Sequence, residues 1–169
     1  LRWTENGPVL PPSLHDLGEI TPQGHVVSLS WTALSEADTS YSAGLALMRA
    51  QSVEEALATG ELYAAPSQNV TLVDQSGLAL QTVGAMPWRD AGHETQGRMP
   101  SRGWIEKNRW QGQLAYAANP RFVAPQGGLL GNTNNKIVDR PFPRHVSFSW
   151  GDTQRVLRWR RLMQAREVH

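Results

Sequence analysis

The sequence predicts an α+β chain of antiparallel strands, several helices and one long irregular excursion, organised as a single region over residues 1–169. Three observations predict it. Asn69 to Val73 and Leu78 to Val83 are strand-like runs closed by Asp74-Gln75-Ser76-Gly77, the pattern of a β-hairpin. Apolar residues recur at helical spacing from Ser40 to Ala50 and again from Asp152 to about Ala165. Between Ala85 and Pro125 the chain carries Gly, Pro, Arg and Trp with little periodicity.

Taken in order, Arg2 to Pro12 opens as a strand and a turn, with Asn6-Gly7 as the turn signal and prolines that forbid helix. His25 to Trp31 alternates apolar and polar residues as a half-buried strand does, and Trp31 is expected to pack in a core. Tyr41, Leu45 and Met48 share one face of the first helix, and Ser52-Val53-Glu54-Glu55 is a capping box opening a second helix toward Leu62. In the hairpin that follows, Gly77 is expected to supply a positive φ. The last helix, begun by Asp152, turns Val156, Trp159 and Met163 inward with Leu162 beside them. Its arginines, among them Arg155 and Arg166, make it basic.

Composition narrows the function classes. Apolar residues make up 40% of the chain and charged residues 18%, which describes a globular chain whose surface is finished with uncharged polar groups. Sixteen Lys and Arg against fifteen Asp and Glu leave a net charge of +1, which argues against nucleic-acid or membrane-surface partners recruited by overall charge. No apolar run approaches the roughly 20 residues that span a bilayer. Without cysteine there is no disulfide, thiolate nucleophile or Cys-containing zinc site. The five histidines, His15, His25, His93, His145 and His169, stand at no metal-ligand spacing, so no metal site and no cofactor are assigned.

The chemically suggestive stretch is Gly127 to Lys136, with Asn132, Asn134 and Asn135 after a short apolar strand. Asparagine accepts left-handed backbone, and its NH₂ donates without charge, as a site that steadies a developing oxyanion requires. The same residues also suit a polar loop capping a strand. Trp88, Trp104 and Trp110 in the excursion would suit a carbohydrate or peptide surface, the alternative of a non-catalytic binding domain.

Asn119-Pro120, Pro125-Gln126 with Gly128, Asn134-Asn135 and then Arg155 resemble, in order and spacing, the C-terminal part of the catalytic β-chain of penicillin amidases (penicillin acylases). Upstream, Asn6-Gly7-Pro8-Val9-Leu10 is similar to the family's "HGPVL" strand end with Asn in place of His, and Asn69 to Gly77 is similar to its "N…AD…G" hairpin. The resemblance implies a piece of a four-layer αββα N-terminal-nucleophile hydrolase that cleaves N-acyl bonds, such as the side chain of a β-lactam or an N-acyl homoserine lactone, outside the cytoplasm. By motif position it places the oxyanion asparagine on Asn134 and the orienting arginine on Arg155, with Gln68 and Asn69 where the acyl group binds. It implies as partners a small N-acyl substrate and the remainder of the acylase, its α-chain and the N-terminal part of its β-chain. In the family the nucleophile is the β-chain's first residue, a serine whose own amine is the base. Leu1 has no such group, so the expectation is an internal piece, inactive alone. The family's structural calcium uses a carboxylate in the loop after the asparagine pair, where only Asp139 stands here, beside Arg140 and Arg144.

Overall fold

The computed structural model describes residues 1–124 and 128–165. Pro125, Gln126, Gly127 and Arg166 lie outside them. Among the described residues, seven strands and four α-helices follow in the order β1 (Trp3–Thr4), β2 (Gly7–Pro8), α1 (Leu17–Ile20), α2 (Ser40–Leu47), α3 (Val53–Thr59), β3 (Gln68–Val73), β4 (Leu78–Val83), β5 (Pro87–Arg89), β6 (Trp110–Gln113), β7 (Arg121–Val123) and α4 (Gln154–Gln164). All strand pairs are antiparallel, and the main sheet has the order β3-β4-β7. The α+β class read from the sequence is the one observed.

The hairpin β3-β4 forms where its alternation predicts, with Gln68 opposite Val83 and Val73 opposite Leu78. Its turn works differently from the expectation, because Gly77 is not among the positive-φ residues. An aspartate does the folding instead. One Asp74 carboxylate oxygen accepts from the Ser76 N–H at 2.7 Å, the Ser76 hydroxyl at 2.6 Å and the Gly77 N–H at 3.0 Å. The other accepts from the Val53 N–H at 2.7 Å, tying the turn to the start of α3.

Helix α3 carries the predicted capping box. The Ser52 hydroxyl accepts from the Glu55 N–H at 3.1 Å, and the Glu55 carboxylate reaches back to the Gln51 N–H at 2.7 Å. Its Val53 and Leu57 bury against Ala79 of β4, with Leu72 of β3 packed alongside. Helix α2 buries only Ala43. The face read from Tyr41, Leu45 and Met48 points outward, Tyr41 at 95% and Met48 at 82% exposure.

Two further expectations give way to local chemistry. His25 to Trp31 makes no continuous strand. It holds a single bridge, Ser28 to Val9, flanked by Leu10 N–H to Val27 O and Leu29 N–H to Pro8 O, because Pro8, Pro11 and Pro12 deprive the partner of ladder donors. Trp31 accordingly lies outside the core and is exposed, as is Leu162 on α4. The residues from 85 to 124 are less irregular than the sequence suggests. They contribute β5, β6 and β7, and Asn108 steadies the loop between β5 and β6 by donating to the Glu94 carboxylate at 2.7 Å and to the Arg102 carbonyl at 3.1 Å. Arg102 pairs with the same carboxylate.

The end of α3 approaches β4 and the segment before β7 closely at Gly60. A Cβ there would stand 2.1 Å from the Tyr116 hydroxyl, 2.7 Å from its ring and 2.9 Å from Val83, and the Tyr116 hydroxyl is itself held by the Leu57 carbonyl at 2.8 Å. Alanine's helical advantage of at most about 1 kcal/mol does not offset that overlap. Gly60→Ala is expected to destabilise by about 1–3 kcal/mol, read from the urea midpoint. A second expectation concerns Asp74, whose bonds to Ser76, then Val53, hold its pKa at about 2 against an ordinary 3.8. A depressed folded-state pKa means that its stabilisation is complete above about pH 4 and lost as pH falls through about 2. Asp74→Asn should flatten that part of the acid unfolding curve.

Candidate active site

Chain geometry between β7 and α4 is set by asparagine side chains rather than by strands. Asn132 Oδ1 accepts from the Asn134 N–H at 3.0 Å, and Asn135 Oδ1 accepts from the Thr133 N–H at 3.0 Å and the Thr133 hydroxyl at 3.2 Å. Asn135 is buried, and its NH₂ donates to the Lys136 carbonyl at 3.0 Å. Asn134 sits in this knot at φ +64°, a left-handed conformation that asparagine tolerates better than other side chains. It lies in a bend, not at the end of a strand as an oxyanion donor held by a sheet would.

Helix α4 docks on the same loop. Gly131 is required there, since a Cβ would come within 2.6–3.1 Å of the Trp159 indole. One turn earlier on the helix, Arg155 Nη2 donates to Asn134 Oδ1 at 3.0 Å. A cation in a first helical turn opposes the helix dipole, and this contact gives it a partner. Asp152 adds compensation by accepting from the Gln154 N–H at 3.0 Å. The contact also settles which way the amide faces. A guanidinium has no acceptor, so Arg155 can meet only the Asn134 oxygen, which leaves the Asn134 NH₂ free to donate elsewhere.

Asn134 opens onto a cleft of about 950 Å³ whose lining includes Gln68 and Asn69 from the start of β3, Thr82 from β4 and Asn132. The four residues singled out in the sequence are therefore brought together, three on the cleft wall and Arg155 behind Asn134. Gln68 is exposed. Asn69 is fixed by the Thr82 hydroxyl, which donates to its Oδ1 at 2.8 Å. Among the described residues no serine or threonine hydroxyl is hydrogen-bonded to a histidine ring.

Sequence reasoning missed another part of the cleft lining. His145, set aside as a scattered histidine, lines the cleft with Arg89, Arg98 and Phe148. Its ring stacks on Phe148 at 4.2 Å and meets Phe142 at 5.2 Å, while the Arg98 guanidinium lies 4.1 Å over Phe148. The signal available was faint. His145 and Phe148 stand three residues apart in no regular element, and the arginines come from the excursion.

Trp88, Trp104 and Trp110 do not line this cleft. Trp88 and Trp104 are exposed, and Trp110 is half-buried with Arg89 over its ring at 5.9 Å. Asp139 does not fit a calcium ligand set, because it pairs with Lys136 at 2.6 Å and, among the described residues, no three His, Asp or Glu side chains converge as a metal site.

A family model described as penicillin amidase matches residues 1–169. The chain belongs to the penicillin amidase family. It is 30% identical over 174 aligned residues to an acyl-homoserine lactone acylase of Pseudomonas aeruginosa, an alignment that takes in all of this chain and 20% of that protein. To the penicillin G acylase of Escherichia coli it is 31% identical over 115 residues, 68% of this chain and 12% of that one. The solved thermostable penicillin G acylase from Alcaligenes faecalis superimposes with a TM-score of 0.73 at 23% identity, over 98% of this chain and 28% of that structure. The chain thus spans about a fifth of the length of the first of these relatives. The fold is the one shared with part of that penicillin G acylase, in line with the resemblance of the motifs.

Burial, reinforced by the positive charge of Arg89 and Arg98, holds the His145 imidazole below its ordinary pKa of 6.5, so the ring is neutral at pH 7. Its ring-proton NMR titration should show a midpoint below that value. Arg89→Gln should move the midpoint upward by removing one repelling charge.

Proposed function

We propose that this chain supplies the oxyanion-binding wall of an acylase that hydrolyses N-acyl bonds. The observation that supports the reading is the Arg155–Asn134 hydrogen bond, which occupies the amide oxygen and leaves the neutral NH₂ of a cleft-lining residue free to donate. An amide carbonyl seated against Asn134 gains negative charge as it is attacked. A preset NH₂ donor stabilises that charge more than it stabilises the neutral substrate. Arg155 acts through Asn134 by holding its oxygen, and Gln68 and Asn69 contact the acyl group.

Because the chain spans about a fifth of the length of its acyl-homoserine lactone acylase relative, the reading assigns the nucleophile and its base to the remainder of the enzyme. An N-terminal serine with its own α-amine suits the task, since that amine's ordinary pKa lies near 8. The names of the relatives direct the substrate toward N-acyl homoserine lactones or acylated β-lactam nuclei. A periplasmic or extracellular location belongs to the same reading. Among the described residues, no helix is long and apolar enough to cross a membrane.

In the acylase carrying this chain, Asn134→Ala is expected to lower kcat by about 10²–10³-fold, the usual cost of one oxyanion donor, with a much smaller change in KM. Initial rates on a chromogenic N-acyl amide measure both. An unaltered kcat would overturn the assignment.

A further inference from the structure

Four aromatic rings run in file between two loops. His93, early in the loop between β5 and β6, meets Phe142 edge-on at 6.2 Å, Phe142 meets His145 at 5.2 Å, and His145 stacks on Phe148 at 4.2 Å. Arg98, later in the same loop as His93, closes the file by lying 4.1 Å over Phe148. The segment before α4 is thus gripped at two points by the loop between β5 and β6, through contacts that are attractive at these spacings. Both loops reach the cleft, which Arg98, His145 and Phe148 line.

The grip depends on a neutral His145. Its Nδ1 is shielded from solvent without a hydrogen-bond partner. A proton there would create an N–H with nothing to receive it. Burial, then the charges of Arg89 on β5 and of Arg98, oppose a positive ring, and only a hydrogen bond with the Pro143 backbone favours one. Phe148 already carries one cation over its ring. His93 is placed differently, since burial and Arg89 oppose its charged form while the Asn108 backbone, Glu94 and Asp90 favour it.

We propose that this file of rings is an acid-sensitive clasp: with His145 neutral it ties the two loops into one cleft lining, and protonation of His145 releases them and opens the cleft. The clasp is independent of which substrate the cleft takes. A group whose charged form is disfavoured in the folded state contributes fully above its ordinary pKa, and that contribution is lost as pH falls. The clasp is therefore closed above pH 6.5 and opens below it, in a range where Asp74, with a pKa of about 2, stays ionised.

Amide hydrogen exchange in the protein that carries this chain, corrected for the intrinsic pH dependence of exchange, reads the clasp in each loop. The reporters are the Arg98 N–H, which donates to the Thr95 carbonyl at 3.1 Å, and the Arg144 N–H, which donates to the Pro141 carbonyl at 2.9 Å. The β3-β4 hairpin is the control. Between about pH 7.5 and about pH 5.5 both reporters should lose protection together, by about threefold or more, while the hairpin keeps its own. His145→Phe keeps a stacking ring and removes the proton, so its reporters should stay protected at the lower pH. Arg89→Gln removes a repelling charge from outside the file, so the loss should shrink, and it decides the question should His145→Phe fail to fold. Reporters that stay protected throughout, one loop opening without the other, or a loss that both substitutions leave unchanged would overturn the clasp. An equal loss in the hairpin would do so too, since it would mean general acid unfolding.

Discussion

The satisfaction of a buried polar strand is the constraint on which the rest of the molecule depends. Strand β4 is the centre of its sheet, and Gln81 and Thr82 are buried within it beside Ala79 and Leu80. Buried polar groups must be paired; the Thr82 hydroxyl finds Asn69 across the hairpin, and the other partners come from Asn119, Pro120 and Arg121. Asn119 donates to the Thr82 and Gly84 carbonyls at 3.1 and 2.9 Å, the Pro120 carbonyl accepts from the Thr82 N–H at 2.9 Å, and Arg121 donates to Gln81 Oε1 at 2.5 Å. Asn119-Pro120 helps to bring the excursion back to the sheet. With it, β7 adds a third strand to the sheet.

Beyond β7 the proposed site is assembled by hydrogen bonds between side chain and backbone, not by sheet. Asn132 and Asn135 fold the loop around Asn134, and the Trp159 indole against Gly131 sets the height of α4 so that Arg155 meets the Asn134 oxygen. Precision here comes from two rigid things touching, a short amide knot and a helix. The arginine-bearing part of the lining uses another device. Its cations are spread over aromatic rings instead of being neutralised by acids, which leaves their charge available to the cleft.

Much of this was legible in the residues, and for identifiable reasons. The hairpin and the start of α3 are governed by local chemistry, alternation in the first case and a capping box in the second, and both appear where the sequence puts them. The pairing of Asn134 with Arg155 was reachable only through family motifs, since no local rule links residues that far apart. Which face of a helix is buried was not legible in its spacing. Tyr41, Leu45 and Met48 do lie along one face of α2, yet that face is outward and Ala43 is the buried residue. Trp31 was expected inside because it is large, while the prolines opposite kept its segment from becoming a strand that could carry it there.

By itself the sequence determined the α+β class, the hairpin, the capped helix and the family, because each depends on neighbours in the chain or on an ordered set of motifs. Only the tertiary structure decided that Asp74, not Gly77, makes the hairpin turn and clips it to α3. It alone decided that Gln68, Asn69 and Asn134 share one cleft, and that His145, Arg89 and Arg98 line it too. The physical reason is the same in each case. Charge, burial and hydrogen-bond pairing between distant segments depend on how α4, the asparagine loop and β4 are docked in space, and docking has no signature in the spacing of residues along one chain.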